Sequence, residues 1–217
     1  MLMLHATLVT LFGLGSCGGS DEAREKITWP TGVVLAVGGV PIHESEVDAH
    51  IDALLDIKPE YIKNHRRRLL LINWTFPMAR GIQVSGADRK AARLEALDWM
   101  AAQEMAPGAP PAAMEGDLVG NWDLVGFDTW LMARELEIGD SSGLVELPGQ
   151  YAIIRMIDRD RPKNKAHEQM VLRVRTFPYV DSPKGLLEEC MESSLEIVDP
   201  AWNEIVPGTY KYKMLAE

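Results

Sequence analysis

The sequence predicts an α+β fold, in which a helical N-terminal module precedes a module with a small antiparallel sheet. Apolar residues recur at helical spacing over much of residues 44–105. Two later stretches, 151–157 and 170–177, have the composition of strands and flank a charged turn. The Pro- and Gly-rich stretch 107–111 cannot continue a helix, so we place the domain boundary there.

A glycine turn and a first helix begin the helical module. Gly38 and Gly39 stand between two apolar runs and predict a turn, because glycine adopts positive φ at little cost. The helix after this turn is expected to bury one apolar stripe, formed by Val47, Ile51, Leu54 and Leu55.

Two further helices are expected before the boundary. The second covers about residues 59–76, where Pro77 would end or kink it. The third runs to about residue 105, and its buried face is expected to consist of Ala87, Ala91, Leu94 and Leu97.

The second module is predicted to place a helix against a hairpin. The helix contains Phe127, Trp130, Leu131 and Arg134. In the second strand of the hairpin, alternation places Arg173 and Arg175 on one face and Leu172, Val174 and Thr176 on the other. Short helices are expected at 186–190 and from Asp199 onward.

The N-terminus has the features of a bacterial lipoprotein signal. An uncharged apolar stretch, too short to span a bilayer, ends in residues that resemble a lipobox: Leu14, Gly15, Ser16 and Cys17. Lipid on Cys17 would hold the protein at a membrane. A basic segment is missing, so an ordinary cleaved signal or a misplaced start is the alternative. If Cys17 is acylated, Cys190 has no partner; a disulfide bond between these two cysteines is the other possibility.

Composition and charge narrow the classes of function. With 47% apolar and 25% charged residues, the chain can bury a core. Its net charge of -10 disfavours nucleic acid as a partner, because phosphates would be repelled. No nucleotide-binding or hydrolase motif occurs, and no cofactor is expected. His43, Glu46 and His50 have metal-ligand spacing, but we interpret them as scattered surface residues, and the basic run 65–68 as a solvated face.

Residues 33–105 contain a strand and turn at 34–42, an acidic helix start at 44–47 and a connection at 79–85, in this order. This arrangement resembles the opening domain of SurA-type chaperones. It implies a helical chaperone domain.

After the boundary, a short phrase at 116–118 and an ungapped stretch at 139–154 form a second pattern. This pattern is similar to the C-terminal half of a parvulin-type peptidyl-prolyl isomerase. It implies a helix, a turn and a central strand that closes a peptide groove. The implied organisation is a signal peptide with a lipobox at 1–17, a tether at 18–32, a SurA-like domain at 33–105, a linker at 106–115 and a partial parvulin-like domain with a C-terminal extension at 116–217.

The chain departs from the parvulin pattern where the chemistry would lie. Ala152 stands where the family has a histidine, and the front half of the family's domain has no counterpart in 106–115. The strand at 170–177 could fill the vacant edge of the sheet, although a simple hairpin explains it without rearrangement. We assign no catalytic residue. His167 and Cys190 are the polar candidates, interpreted as an exposed turn histidine and a buried thiol.

The resemblance implies a folding factor of the cell envelope, lipid-anchored and facing the periplasm or the outer membrane. Its partners would be unfolded or extended polypeptides, and its isomerase activity would be weak or lost. The candidate peptide-binding residues are Trp122, Phe127, Trp130 and Tyr151, of which Trp130 also suits a core position. The alternative is a structural or assembly lipoprotein that uses the fold as an interaction scaffold.

Overall fold

The computed structural model describes residues 28–104 and 117–210 and has the predicted α+β fold. The strands in these residues are β1 (Val33–Val37), β2 (Val40–His43), β3 (Asp117–Gly120), β4 (Ser141–Leu147), β5 (Gln150–Asp160), β6 (Gln169–Pro178) and β7 (Leu195–Ile197). The helices are α1 (Glu44–Asp48), α2 (Ala53–Ile57), α3 (Lys63–Leu70), α4 (Phe76–Ser85), α5 (Asp88–Glu104), α6 (Phe127–Ala133) and α7 (Leu186–Met191). No helix in the described ranges is long and apolar enough to cross a membrane. Cys17 and the linker lie outside these ranges.

A small sheet with the order β2-β1-β7 begins the fold. The predicted glycine turn is confirmed, because Gly38 (φ 55°) and Gly39 (φ 81°) connect β1 to β2 in an antiparallel hairpin. On its other side, β1 pairs with β7 near the end of the described chain. A strand from the C-terminal extension therefore completes the sheet of the N-terminal half.

The helices of the N-terminal half are broken differently from the prediction. The expected first helix is divided into α1 and α2, and Leu55 is 40% exposed. The second helix does not end at Pro77. A π-helical turn at Leu71–Thr75 connects α3 to α4, which carries Pro77 in its first turn. Such a wide turn accommodates a proline because the i to i−4 hydrogen-bond ladder is already interrupted there.

The basic run 65–68 is only partly a solvated face: His65 is exposed, but Arg67 and Arg68 make structural contacts. Arg67 is 8% exposed, and its guanidinium donates hydrogen bonds to Asp48 and Glu44 on α1. Arg68 donates a 3.0 Å hydrogen bond to the carbonyl of Ile205. These arginines therefore connect α3 to the first helix and to the C-terminal segment, which our surface interpretation missed.

A second sheet has the order β3-β6-β5-β4 and is antiparallel throughout. The predicted hairpin of β5 and β6 is confirmed, with Leu172 and Val174 buried on one face of β6 and Arg173 exposed on the other. However, β6 lies inside the sheet, and the edge position belongs to β3.

One hydrophobic core extends through both halves of the chain. It includes residues from the helical half, from the second sheet with α6, and from the C-terminal segment, among them Leu54, Phe76, Trp130, Ile154 and Trp202. The division into two domains stays a prediction, but the larger of the two clusters of buried side chains contains residues from both halves.

Candidate functional site

Both faces of the central strand β5 are covered. Side chains alternate along a strand, so Tyr151 and Ile153 face one way and Ala152 and Ile154 the other. The first pair belongs to a cluster with Ala92 and other residues of α5. The second pair belongs to the shared core. A peptide groove beside Tyr151 and Ala152 is therefore not open in this structure.

Three of the four predicted peptide-binding residues are buried. Tyr151 is 6% exposed and contacts Tyr179 edge to face. Phe127 and Trp130 lie in the shared core with ring centroids 5.9 Å apart. Trp122 is half-buried, with the ammonium of Lys58 at 5.8 Å from its ring centroid. Peptide binding by these residues stays a prediction, and only Trp122 offers appreciable surface.

His167, one of the two polar candidates, lies far from Ala152. Ala152 is completely buried and pairs with Thr176, whereas His167 lies beyond the other end of the hairpin, where Asp160 pairs with Gln169. At about 3.3 Å per residue, the two pairs are separated by about 26 Å along β5. His167 is exposed, as expected from the sequence.

Cys190 is a buried thiol on α7, as interpreted from the sequence. It donates a weak 3.5 Å hydrogen bond to the carbonyl of Phe76, and burial raises the pKa of the thiol to about 12. The thiolate, which is the nucleophilic form, is therefore negligible at neutral pH. The alternative disulfide bond to Cys17 involves a residue outside the described ranges.

His43, Glu46 and His50, which have metal-ligand spacing, contact neighbouring protein groups. The carboxylate of Glu46 accepts a 2.8 Å hydrogen bond from the backbone of His43, and His50 contacts Trp74 edge to face. Among the residues that the structure describes, no three His, Cys, Asp or Glu side chains are grouped to hold a metal ion.

A partly buried polar cluster fixes α5 on the sheet. Arg89 donates two hydrogen bonds, of 2.6 and 2.8 Å, to the carboxylate of Glu146 on β4. Tyr179 donates a third, of 3.0 Å, to the same carboxylate. Burial, reinforced by the charge of Glu146, raises the pKa of Tyr179, so the phenol remains a donor. This bidentate geometry sets which face of α5 contacts the sheet.

The face of α5 that we expected to be buried is exposed. Ala92 and Ala96 contact the sheet, whereas Leu94 is 51% and Leu97 37% exposed. Small alanines allow the helix to approach the strands closely, and the Arg89 contact requires the same orientation. We call the outward row the α5 stripe; it consists of Ala87, Ala91, Leu94, Leu97 and Ala101.

The outer edge of β3 is a second exposed apolar surface. Within the described residues, β3 pairs only with β6, so its other edge has no strand partner. Val119 is 62%, Leu118 38% and Leu124 72% exposed. Gly120, at φ 152°, lies so close to Leu124 that a Cβ there would be 2.5 Å from the Cβ of Leu124. We call Asp117–Gly120 together with Leu124 the β3 edge.

The β3 edge lacks the usual protection of an edge strand. Soluble proteins commonly place lysine or proline on such strands, since unpaired backbone groups recruit other chains. Neither residue occurs in β3. Its one charged side chain is Asp117, whose carboxylate accepts a 2.6 Å hydrogen bond from Arg173 of β6. No local pattern in the sequence indicates this surface, because its position depends on which strand occupies the edge.

Comparison with protein-family models, curated proteins and solved structures finds no significant match to this chain. The likeness to the SurA and parvulin families therefore stays a prediction from the sequence phrases.

Proposed function

We propose that this protein is a folding factor of the cell envelope that binds unfolded or extended polypeptides by strand addition at the β3 edge. The observation that supports it best is an apolar, unprotected edge strand on the sheet. This proposal keeps the expected class of client but places the client at an edge instead of in a groove beside Tyr151.

Strand addition suits unfolded clients because it depends on backbone groups that every polypeptide has. An incoming strand would form main-chain hydrogen bonds with β3, each contributing about 1 kcal/mol net. Its alternate side chains would contact Leu118 and Leu124 on one face and Val119 on the other. Affinity would thus depend on apolar content rather than on one sequence.

Prolyl isomerase activity is not expected. The position of the family's histidine is occupied by the buried Ala152, and His167 is remote from it. In a protease-coupled assay of a proline peptide, the protein should not accelerate isomerisation measurably. Turnover like that of a parvulin would contradict this part of the proposal.

A matched pair of variants tests the binding surface. Val119→Lys places a charge on the edge strand, and Ile62→Lys is its control because Ile62 is 63% exposed on the other half of the chain. Both changes should leave stability within about 0.5 kcal/mol. The wild type and Ile62→Lys should suppress light scattering by a denatured model protein, whereas Val119→Lys should need about tenfold more protein for the same effect. Equal activity of all three would refute binding at this edge.

Backbone methylation of a client peptide tests the mode of binding. An extended apolar peptide should bind the wild type, and the same peptide methylated at alternate backbone nitrogens should not, because methylation removes the donors that a strand needs. Equal affinity of the two peptides would exclude strand addition.

A scaffold lipoprotein is the second candidate, and the α5 stripe favours it. An exposed row of leucine and alanine on a helix suits one folded partner with a matching apolar surface. Leu94→Lys should then abolish binding of a single envelope partner and leave suppression of aggregation unchanged. Loss of suppression with Leu94→Lys, but not with Val119→Lys, would transfer the client site to α5.

Membrane attachment through Cys17 belongs to both candidates. Cys17→Ala should release the protein from the membrane fraction, because the acyl chains would be lost. Unchanged fractionation would contradict lipid anchoring without affecting the β3 edge.

A further inference from the structure

A charged pocket lies where α2, the end of α6 and the turn between β5 and β6 meet. Its volume is about 330 Å³, at the lower end of the range for small-molecule sites. Trp130 contributes an apolar wall. The pocket is separate from the β3 edge, and no function discussed above uses it.

Cations outnumber carboxylates in this pocket, although the chain as a whole is strongly acidic. Five Lys or Arg residues line it, against three Asp or Glu residues, with Glu137 beside Arg161 as a fourth carboxylate, in a protein of net charge -10. A local excess of positive charge in a concave site attracts anions, because the low-dielectric walls focus the field. The cations are Arg134, Arg159, Arg161, Lys163 and Lys165.

Two of the carboxylates are each shared between two cations. Asp56 lies 2.7 Å from the ammonium of Lys165 and 3.7 Å from the guanidinium of Arg134. Glu168 lies 2.7 Å from Arg159 and 3.6 Å from Arg161. The third lining carboxylate, Glu135, is 77% exposed and lies 3.1 Å from the guanidinium of Arg134. Each carboxylate that is shared between two cations neutralises only part of the charge beside it.

Arg159 occupies the inner end of the pocket and is paired with Glu168. Its guanidinium donates hydrogen bonds of 2.6 and 2.7 Å to the carbonyls of Leu136 and Arg134, just past the end of α6. The C-terminal carbonyls of a helix would otherwise repel an anion. Arg159 is thus a fixed structural cation, and any ligand must be held by the residues nearer the mouth.

Arg161 and Lys163 are the cations best placed to engage a ligand. Lys163 is exposed and has no ion-pair partner in the part of the chain that the structure describes. Arg161 pairs with Glu137 at 3.0 Å, but both side chains are more than half exposed. Such an exposed pair contributes little in water, so the guanidinium can rotate toward an anion.

We propose that this pocket binds a small dianionic oxyanion, a phosphate ester or a dicarboxylate, through Arg161 and Lys163. Two charge-assisted contacts from separate side chains favour a ligand that carries two negative charges over a monovalent anion. Trp130 in the pocket wall can contact a short apolar part of the ligand.

Inorganic phosphate and succinate are the probes, with chloride at matched ionic strength as the reference. Calorimetry on the full chain should show binding of at least one dianion and none of chloride, and the dianion should raise the melting temperature. Which of the two binds distinguishes phosphate from carboxylate chemistry. No binding of either dianion above the chloride reference would overturn the proposal.

Variants locate the binding. The double variant Arg161→Gln, Lys163→Gln should bind the dianion at least about tenfold more weakly than the wild type. Lys184→Gln, which neutralises an exposed lysine elsewhere, should bind it like the wild type. The double variant should melt like the wild type without ligand, because Arg161 is 52% exposed. Affinity within about twofold of the wild type would overturn the proposal. Val119→Lys should bind the dianion normally, so the result is independent of the client site.

Discussion

The guanidinium of Arg67 lies 4.7 Å from the centroid of the Trp202 ring. The same guanidinium donates hydrogen bonds to Asp48 and Glu44, so one side chain joins α3 to α1 and to the C-terminal segment. Trp202 itself is 1% exposed. The contact therefore ties residues that are far apart in the sequence into the shared core.

Loss of Arg67 should destabilise the protein clearly. Arg67→Met should lower the free energy of unfolding by about 2 kcal/mol, below the roughly 3–5 kcal/mol for a fully buried pair, because Asp48 and Glu44 retain access to water. Lys63→Met is the control: Lys63 pairs with the same Asp48 but is 58% exposed, so the change should cost less than about 0.5 kcal/mol. Equal losses of stability for Arg67→Met and Lys63→Met in urea unfolding would show that Arg67 contributes no more than an exposed ion pair.

The pair of Arg67 and Asp48 should make the free energy of unfolding depend on pH in the acidic range. The hydrogen bond from Arg67 lowers the pKa of Asp48 below its ordinary value of 3.8. A carboxyl with a depressed pKa stabilises the folded state above its unfolded pKa, and this stability is lost as the pH falls through the folded value. The stability difference between the wild type and Asp48→Asn should therefore be constant near neutrality and shrink below about pH 3.8. A difference that persists unchanged under acid would contradict the pairing.

Cys190 should be unreactive in the folded protein. Burial raises the pKa of its thiol to about 12. At mildly alkaline pH the thiol is therefore both inaccessible to a thiol reagent and protonated. In the full chain with Cys17→Ala, labelling should occur only after denaturation. Rapid labelling of the native protein would show that α7 does not cover this thiol.

A pair of identical substitutions tests the orientation of α5. Ala96→Leu inserts volume against the sheet, where Ala96 is fully buried, and should destabilise by about 1–3 kcal/mol. Ala91→Leu adds the same atoms to the exposed stripe and should change stability by less than about 0.5 kcal/mol. The reverse order of melting temperatures would mean that the leucine face is the buried one.

Local patterns in the sequence predicted the β5–β6 hairpin and the glycine turn. Alternation along 170–177 defined two faces because Arg173 and Leu172 differ so strongly in polarity. The face of α5 was mispredicted because this helix has two apolar rows, and the smaller one is selected by close approach and by the contact of Arg89 with Glu146. That contact joins residues far apart in the chain, and the spacing of apolar residues within the helix does not indicate it.

The candidate surfaces were less predictable than the elements. Tyr151 and Trp130 have the composition of a peptide groove, but their burial depends on helices from the other half of the chain. Val119 carries no special signal in the sequence, because its exposure follows from β6 occupying the interior position and leaving β3 outside. The role of β7 beside β1 is likewise a long-range pairing without a local pattern.

Hydrogen exchange with and without an extended apolar peptide tests strand addition at the β3 edge most directly. The account predicts that the peptide slows exchange of backbone amides in Asp117–Gly120 of the wild type and that Val119→Lys removes this protection. Slowed exchange confined to α5, or no change in β3 while the peptide is bound, would contradict it.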